Sequence, residues 1–243
     1  MSGYSDSIFS QSMAGFFARS RSAVLDYRTR RDMVSKSRVL LQSVPLARAI
    51  IDVLTRGVIG SGLHLGAEDA EFETVSALHG FDCLGELDFY QMQQMAWETA
   101  LTCGECFLIR FASDDRLSSW KIAEPDHVFT PPHATTKADG QKYYKSRILI
   151  DGIEFDATGR PRAIHYCATP YGGNVSDRKS WQRIPLFTDG KQNIVHVRLC
   201  SRPEYPRGIP VLAPLIETLY GLHAYQVAQI QMGIIQSCQA FVV

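Results

Sequence analysis

The spacing of apolar and polar positions changes character several times along this chain of 243 residues. The opening residues are Ser-rich and aperiodic and read as a mobile arm over 1–21. A basic helical stretch follows, about 22–42. In "QSVPLARAIIDVLTRGVIGSG" the residues Ala49, Ile50, Val53 and Leu54 form an apolar face at helical spacing. Ser43 stands where it can cap that helix, Pro45 sits in its first turn, and Gly57, Gly60 and Gly62 bring it to an end. A short acidic helix is predicted over 69–79. "ELDFYQMQQMAWETALTCGECFLIRF" then places Phe89, Met92, Ala96, Thr99 and Cys103 on one helical face behind an Asp88 cap. After Gly104 the pattern turns to a short β run, so Cys103 ends a helix and Cys106 starts a strand.

From 117 to 200 the pattern is that of strands. "SSWKIAEPDHVF" reads as one, and "RILIDGIEFDATGRPRAIHYCAT" as a hairpin that turns at "DATG", with Gly159 at positive φ. "YGGNVSD" lies in a loop, and "NIVHVRLC" reads as a buried strand. Pro203, Pro206, Pro210 and Pro214 keep the next stretch extended. A last helix over about 211–238 then presents Leu212, Leu215, Leu219, Leu222, Tyr225, Met232 and Ile235. The order predicts an α+β fold with N-terminal helices, a mixed or antiparallel β region containing a hairpin, and a long C-terminal helix.

Composition adds a soluble globular character: 45% hydrophobic and 21% charged residues, with no apolar run of membrane-spanning length. The N-terminus lacks the order of a signal peptide, so a reducing cytoplasm and free thiols are expected for Cys83, Cys103, Cys106, Cys167, Cys200 and Cys238. The net charge of zero hides an asymmetry. Residues 1–60 hold nine Arg or Lys against four acids, a net of +5, while 61–100 hold eight acids and no Arg or Lys. Three readings fit: solvated helix faces, complementary edges of neighbouring copies, or a nucleic-acid surface.

The one conspicuous chemical pattern is "TCGECF". Cys103 and Cys106 could be a redox pair, half of a zinc site, or two small apolar residues beside a turn. Zinc needs more ligands than this close pair supplies, and the remaining Cys and the seven His are scattered. A redox CxxC puts its first thiol at a helix N-terminus, whereas Cys103 lies at a C-terminus, where the dipole disfavours a thiolate. There is no G-x-S-x-G elbow and no phosphate-binding glycine loop. Asp114/Asp115 and Glu154/Asp156 are possible acid/base pairs, but both stand beside predicted turns, where such side chains cap backbone. No catalytic residue, cofactor or metal site is assigned.

Four stretches together resemble the lambda-type portal proteins of tailed bacteriophages. "RDMVSKSRVLLQSVPLARAIIDVLTRGVIGSGL" is similar to that family's N-terminal segment through Pro45, Arg48, Gly60 and Gly62. "WETALTCGECFLIRF" resembles its helix, Gly-Glu, strand unit at Gly104 and Glu105. "GIEFDATGRPRAIHY" carries the hairpin pattern at Glu154, Asp156, Gly159, Arg160 and Pro161. "RPEYPRGIPVLAPLIETLYGLHAY" matches the entry into a long helix at Arg207, Gly208, Pro210 and Pro214. The resemblance implies a structural homo-oligomeric ring, commonly a dodecamer, at a capsid vertex of a phage or prophage virion, assembled in the host cytoplasm. Duplex DNA would pass through it, with terminase, capsid and head-completion proteins as partners and no membrane. Family members are considerably longer than this chain. The resemblance therefore implies that 22–243 is a wing-like α+β domain and that stem, clip and crown regions are missing from the sequence. Two other classes stay open: a cytoplasmic thiol or zinc protein centred on Cys103 and Cys106, and a nucleic-acid-binding module using the basic helix.

Overall fold

Helix α1 (Tyr27–Ser43) buries Arg30, Val34, Ser37 and Leu40, one residue per turn along a single stripe. The computed structural model describes residues 27–62, 81–111, 119–136, 142–144, 147–170, 177–200 and 205–239. The arm expected over 1–21, the acidic helix expected over 69–79, Asp114 and Asp115, most of the "YGGNVSD" loop and Pro203 lie outside the described residues.

Helix α2 (Pro45–Val58) begins after a single linking residue, with Val44 at the N-cap, no side-chain cap and Pro45 in the first turn. The cap expected of Ser43 does not form, because Ser43 is still the last residue of α1. The inward face also differs from the expected one. Ala47, Ile51 and Thr55 are buried, whereas Val53 is 65% exposed and Ala49 and Leu54 are exposed too. The helix is apolar on two sides, and the one-residue link fixes its rotation so that Ala47 and Ile51 turn inward with Val44. Gly57 stays inside the helix, and the stop falls at Gly60 and Gly62, with φ of +56° and +111°.

Helix α3 (Phe89–Cys103) starts with the expected Asp88 cap, completed as a capping box by Gln91. Gly104 closes it in the left-handed conformation, φ +86°, and strand β1 (Glu105–Phe111) begins at once, one residue before Cys106. Strand β2 (Ser119–Ala123) ends where Pro125 opens a 3-10 turn over Pro125–His127, so the single strand expected through Phe129 is cut short. Short strands β3 (Thr135–Thr136) and β4 (Lys142–Tyr144) lead to β5 (Arg147–Ile150), β6 (Ile153–Phe155) and β7 (Pro161–Cys167). The expected hairpin is thus a three-stranded meander. Its extra turn is Asp151-Gly152, both at positive φ, the pattern of a two-residue hairpin loop. Strand β8 (Trp181–Pro185), the small pair β9 (Phe187–Thr188) and β10 (Lys191–Gln192), and β11 (Ile194–Arg198) complete the set.

Every ladder among the described strands is antiparallel; parallel pairing occurs only at the isolated Asp82–Trp120 bridge. One sheet runs β11-β1-β2 and a second runs β3-β4-β5-β6-β7-β8. Phe107 and Ile109 of β1 join Ile153, Ile164, Tyr166 and Ile184 of the second sheet in one core. Cys106 points to the opposite face, where it packs with Ala96 and Ala100 of α3. The central strand is therefore covered on both sides, which accounts for its unbroken apolar run. A third core joins the helices: Leu40, Val44, Ala47, Ile51, Leu101, Leu212 and Leu219. The last helix, α4 (Ile216–Gln239), starts later than expected because Pro214 lies in a 3-10 turn, Ala213–Leu215. Leu212 and Leu219 are buried, but Leu215, Leu222, Tyr225, Met232 and Ile235 are exposed. The structure is mixed α+β, as the sequence predicts.

Candidate functional site

The chain's densest chemistry is a buried ionic cluster where α3 hands over to β1. Gly104 is the C-cap of α3, and its backbone lies against that of Gly208. A Cβ at Gly208 would stand 1.9 Å from the Gly104 carbonyl oxygen, and one at Gly104 would stand 2.4 Å from the Ile209 backbone. Only two glycines permit this approach. The contact is tied by Leu199 N–H to Gly104 O (2.8 Å) and Val211 N–H to Leu101 O (3.0 Å).

That backbone crossing delivers Arg207 and Gly208 to Glu105, which is fully buried. Glu105 Oε1 accepts from Arg207 Nε at 2.8 Å and Arg30 Nη1 at 3.3 Å, while Oε2 accepts from His196 Nε2 at 2.8 Å and Gly208 N at 3.0 Å. Burial alone would push the Glu105 pKa up; the Arg207 charge and the His196 hydrogen bond outweigh it and hold the carboxyl well below its usual range. Arg207 also donates to the carbonyls of Val128 (2.8 Å) and Asp151 and lies over the Phe107 ring. Arg30, on the buried stripe of α1, bonds Asp151 Oδ2 at 2.9 Å. His196 stacks on Phe107, and burial lowers its pKa despite the Glu105 hydrogen bond.

A second cluster stands on the larger sheet. Glu154, also fully buried, accepts from His165 Nε2 (2.9 Å) and bidentately from Arg183 (2.7 Å twice), with Arg147 3.5 Å away. Burial acting alone would raise its pKa, but the His165 hydrogen bond and Arg183 bring it down to about 2. The two clusters meet at the Asp151-Gly152 turn, where His165 N–H bonds Gly152 O at 2.8 Å. Glu154 is therefore a buried paired charge, and the expectation that it merely flanks a turn is corrected. Asp156 does cap its turn, through Thr158 and Arg160 N–H groups at 2.9 Å each, with Gly159 at φ +79°.

These clusters fix charges and offer no reactive group. Both central cysteines are protonated thiols: burial pushes Cys103 up to about 11 and Cys106 up to about 12. The Cys106 thiol donates to Ala96 O at 3.2 Å. Among the described residues no group of three or more His, Cys, Asp or Glu could hold a metal ion, and no helix is long and apolar enough to cross a membrane.

A family model described as phage portal protein, lambda family, matches residues 9–243. The chain belongs to the lambda family of phage portal proteins. A comparison with curated proteins found no match. In this portal protein the motif residues divide into three places. Gly104, Glu105, Arg207 and Gly208 form the first cluster, with Pro210 buried just beyond and Pro214 in the turn before α4. Glu154, Asp156, Gly159, Arg160 and Pro161 build the β6–β7 turn and the second cluster. Pro45, Arg48, Gly60 and Gly62 stay with α2, where Arg48 pairs with Asp52 (2.9 Å) and Glu98 (2.7 Å). Arg30, Asp151, His165, Arg183 and His196 were not singled out from the sequence. Arg30 carried a signal, since it shares helical phase with Val34, Ser37 and Leu40, and Asp151-Gly152 is a turn dipeptide. Both histidines lie in ordinary strand patterns, and only folding shows their partners.

Proposed function

We propose that this portal chain supplies the outer, wing-like part of a ring at one capsid vertex. There it serves as a structural conduit for duplex DNA during packaging and ejection and as a head–tail joint. The observation that carries the reading is the Glu105–Arg207 cluster. Two motif stretches about a hundred residues apart, Gly104-Glu105 and Arg207-Gly208, close on one another through a backbone contact and a buried ion pair. The motif residues are thus the rivets of a rigid scaffold, which suits a ring subunit under mechanical stress. In this reading 22–243 is the wing-like domain behind an arm at 1–21. Terminase, capsid and head-completion proteins are its partners.

Among the described residues, several charges of the basic segment are paired within the chain. Arg38 bonds Glu124 (2.9 Å) and Asp126 (2.5 Å), Arg48 bonds Glu98, and Arg30 is buried on Asp151 and Glu105. This supports a structural role for the basic helix over a duplex-binding one. Immunogold labelling of purified virions tests the proposal: one labelled vertex per particle is expected. Label spread over the shell, or absent from virions, would overturn it.

A further inference from the structure

A cavity of about 220 Å³ opens on the larger sheet, lined by Tyr144, Arg147, Glu154 and Arg183. Its donors exceed its acceptors. Glu154 takes its short bonds from elsewhere: one oxygen accepts from His165 and Arg183 Nε, and the other from Arg183 Nη2. Arg147 Nη1 stands 3.5 Å away, the limit of a hydrogen bond. A guanidinium carries five N–H donors. Arg147 directs at most one of its own at Glu154, and Arg183 directs two. Among the described lining residues, two guanidiniums against one carboxylate also leave one positive charge in excess.

The lining is prepared for a ligand of one kind. Glu154 clamps Arg183 in a fixed plane through a bidentate pair, so its outer N–H groups are pre-oriented. Tyr144 packs edge-on against His165, with ring centroids 4.7 Å apart, and forms one wall of the cavity. Among the described residues no aliphatic side chain lines the cavity, and the one aromatic ring there is already packed, so a base or an apolar group finds little to lie against. The side chains of Arg147 and Arg183 are 50% and 32% exposed, open enough for an anion to enter.

We propose that this cavity is a binding site for a phosphate-class oxyanion, held by Arg147 and the outer N–H groups of Arg183. Glu154 acts as the positioning residue that holds Arg183 in place. The site does not depend on the portal reading, since it rests on this sheet's own geometry. A free phosphate and a nucleic-acid phosphodiester share the chemistry it recognises.

The test is an NMR titration of the arginine Nε–H resonances with sodium phosphate, against sodium chloride at equal ionic strength. The wild type should show a saturable shift of Arg147 and Arg183 with phosphate only. Arg147→Gln should weaken it about tenfold or more, and Arg147→Lys should recover part of the loss by keeping the charge without the fork. Arg162→Gln, altering the arginine on Asp156 in the adjoining turn, should leave it unchanged. Far-UV circular dichroism checks that each variant is folded. Absence of a saturable shift in the wild type, or equal affinity in Arg147→Gln, overturns the proposal. Once the shift is seen, a short DNA duplex that competes for it identifies a phosphodiester as the ligand, and one that does not identifies the free anion.

Discussion

Gly208 and Gly159 are both motif glycines, yet opposite forces hold them. A methyl group at Gly208 meets backbone at 1.9 Å, whereas Gly159 has open space around it and only a positive φ, +79°. Gly159→Ala should cost about 1–2 kcal/mol, the penalty of a left-handed alanine. Gly208→Ala pushes two backbones apart and pulls Arg207 from Glu105, so its loss should exceed about 4 kcal/mol. Urea denaturation of the two variants measures the difference. Glu105→Ala should cost about 3–5 kcal/mol, because Arg207 and Arg30 then keep buried charges without their carboxylate. The pH dependence follows from the same residues. Glu105 and Glu154 have folded pKa values below those of the unfolded chain, so their contribution is complete above the ordinary carboxylate range and is lost as pH falls through the folded values. His196 is also lowered, so the unfolded chain takes up its proton first and acid costs stability there as well. Thermal melting should therefore show a midpoint that falls on acidification from neutrality, without a matching fall on the alkaline side from these groups. At this scale the sequence offered the glycines and Glu105 as a pattern. It could not offer His196 or Arg183, which become partners only when strands far apart in the chain pair.

Elements were legible where their signals are local. Asp88 caps α3 as expected, because a capping box needs only residues three apart: Asp88 Oδ1 accepts from Gln91 N at 2.7 Å and Gln91 Oε1 from Asp88 N at 3.1 Å. Asp88→Ala should destabilise the protein by about 1 kcal/mol, read as a lower urea midpoint with an unchanged slope. The face of α2 was not legible, because Ala49, Ile50, Val53 and Leu54 and the pair Ala47 and Ile51 are both apolar stripes of one helix. Which stripe turns inward depends on the link through Val44 and on what α1 presents. The meander was read as one hairpin for a related reason: the "DATG" turn is four residues long and obvious, while Asp151-Gly152 is two residues inside an apolar run.

At the scale of the whole molecule, α4 is the element whose burial is incomplete. Its 24 residues span about 36 Å, but among those whose burial is described only Leu219 is buried, and Tyr220, Leu222, Tyr225, Val227, Ile230, Met232, Ile234 and Ile235 are exposed. These side chains lie all round the helix, which is the pattern of a helix surrounded by protein. An exposed apolar area of this extent marks an association surface, and the ring proposed above would use it as a contact between copies. Two sets of variants separate that use from a role in holding the chain together. Leu219→Ala empties a packed position and should lower stability by about 2–4 kcal/mol whatever the association state. Ile230→Ser with Ile234→Ser should leave the melting temperature of the monomer unchanged, because both side chains are mostly exposed. The same pair should abolish higher-mass species in multi-angle light scattering at concentrations where the wild type associates. If the double variant associates as well as the wild type, α4 is not the surface through which copies meet.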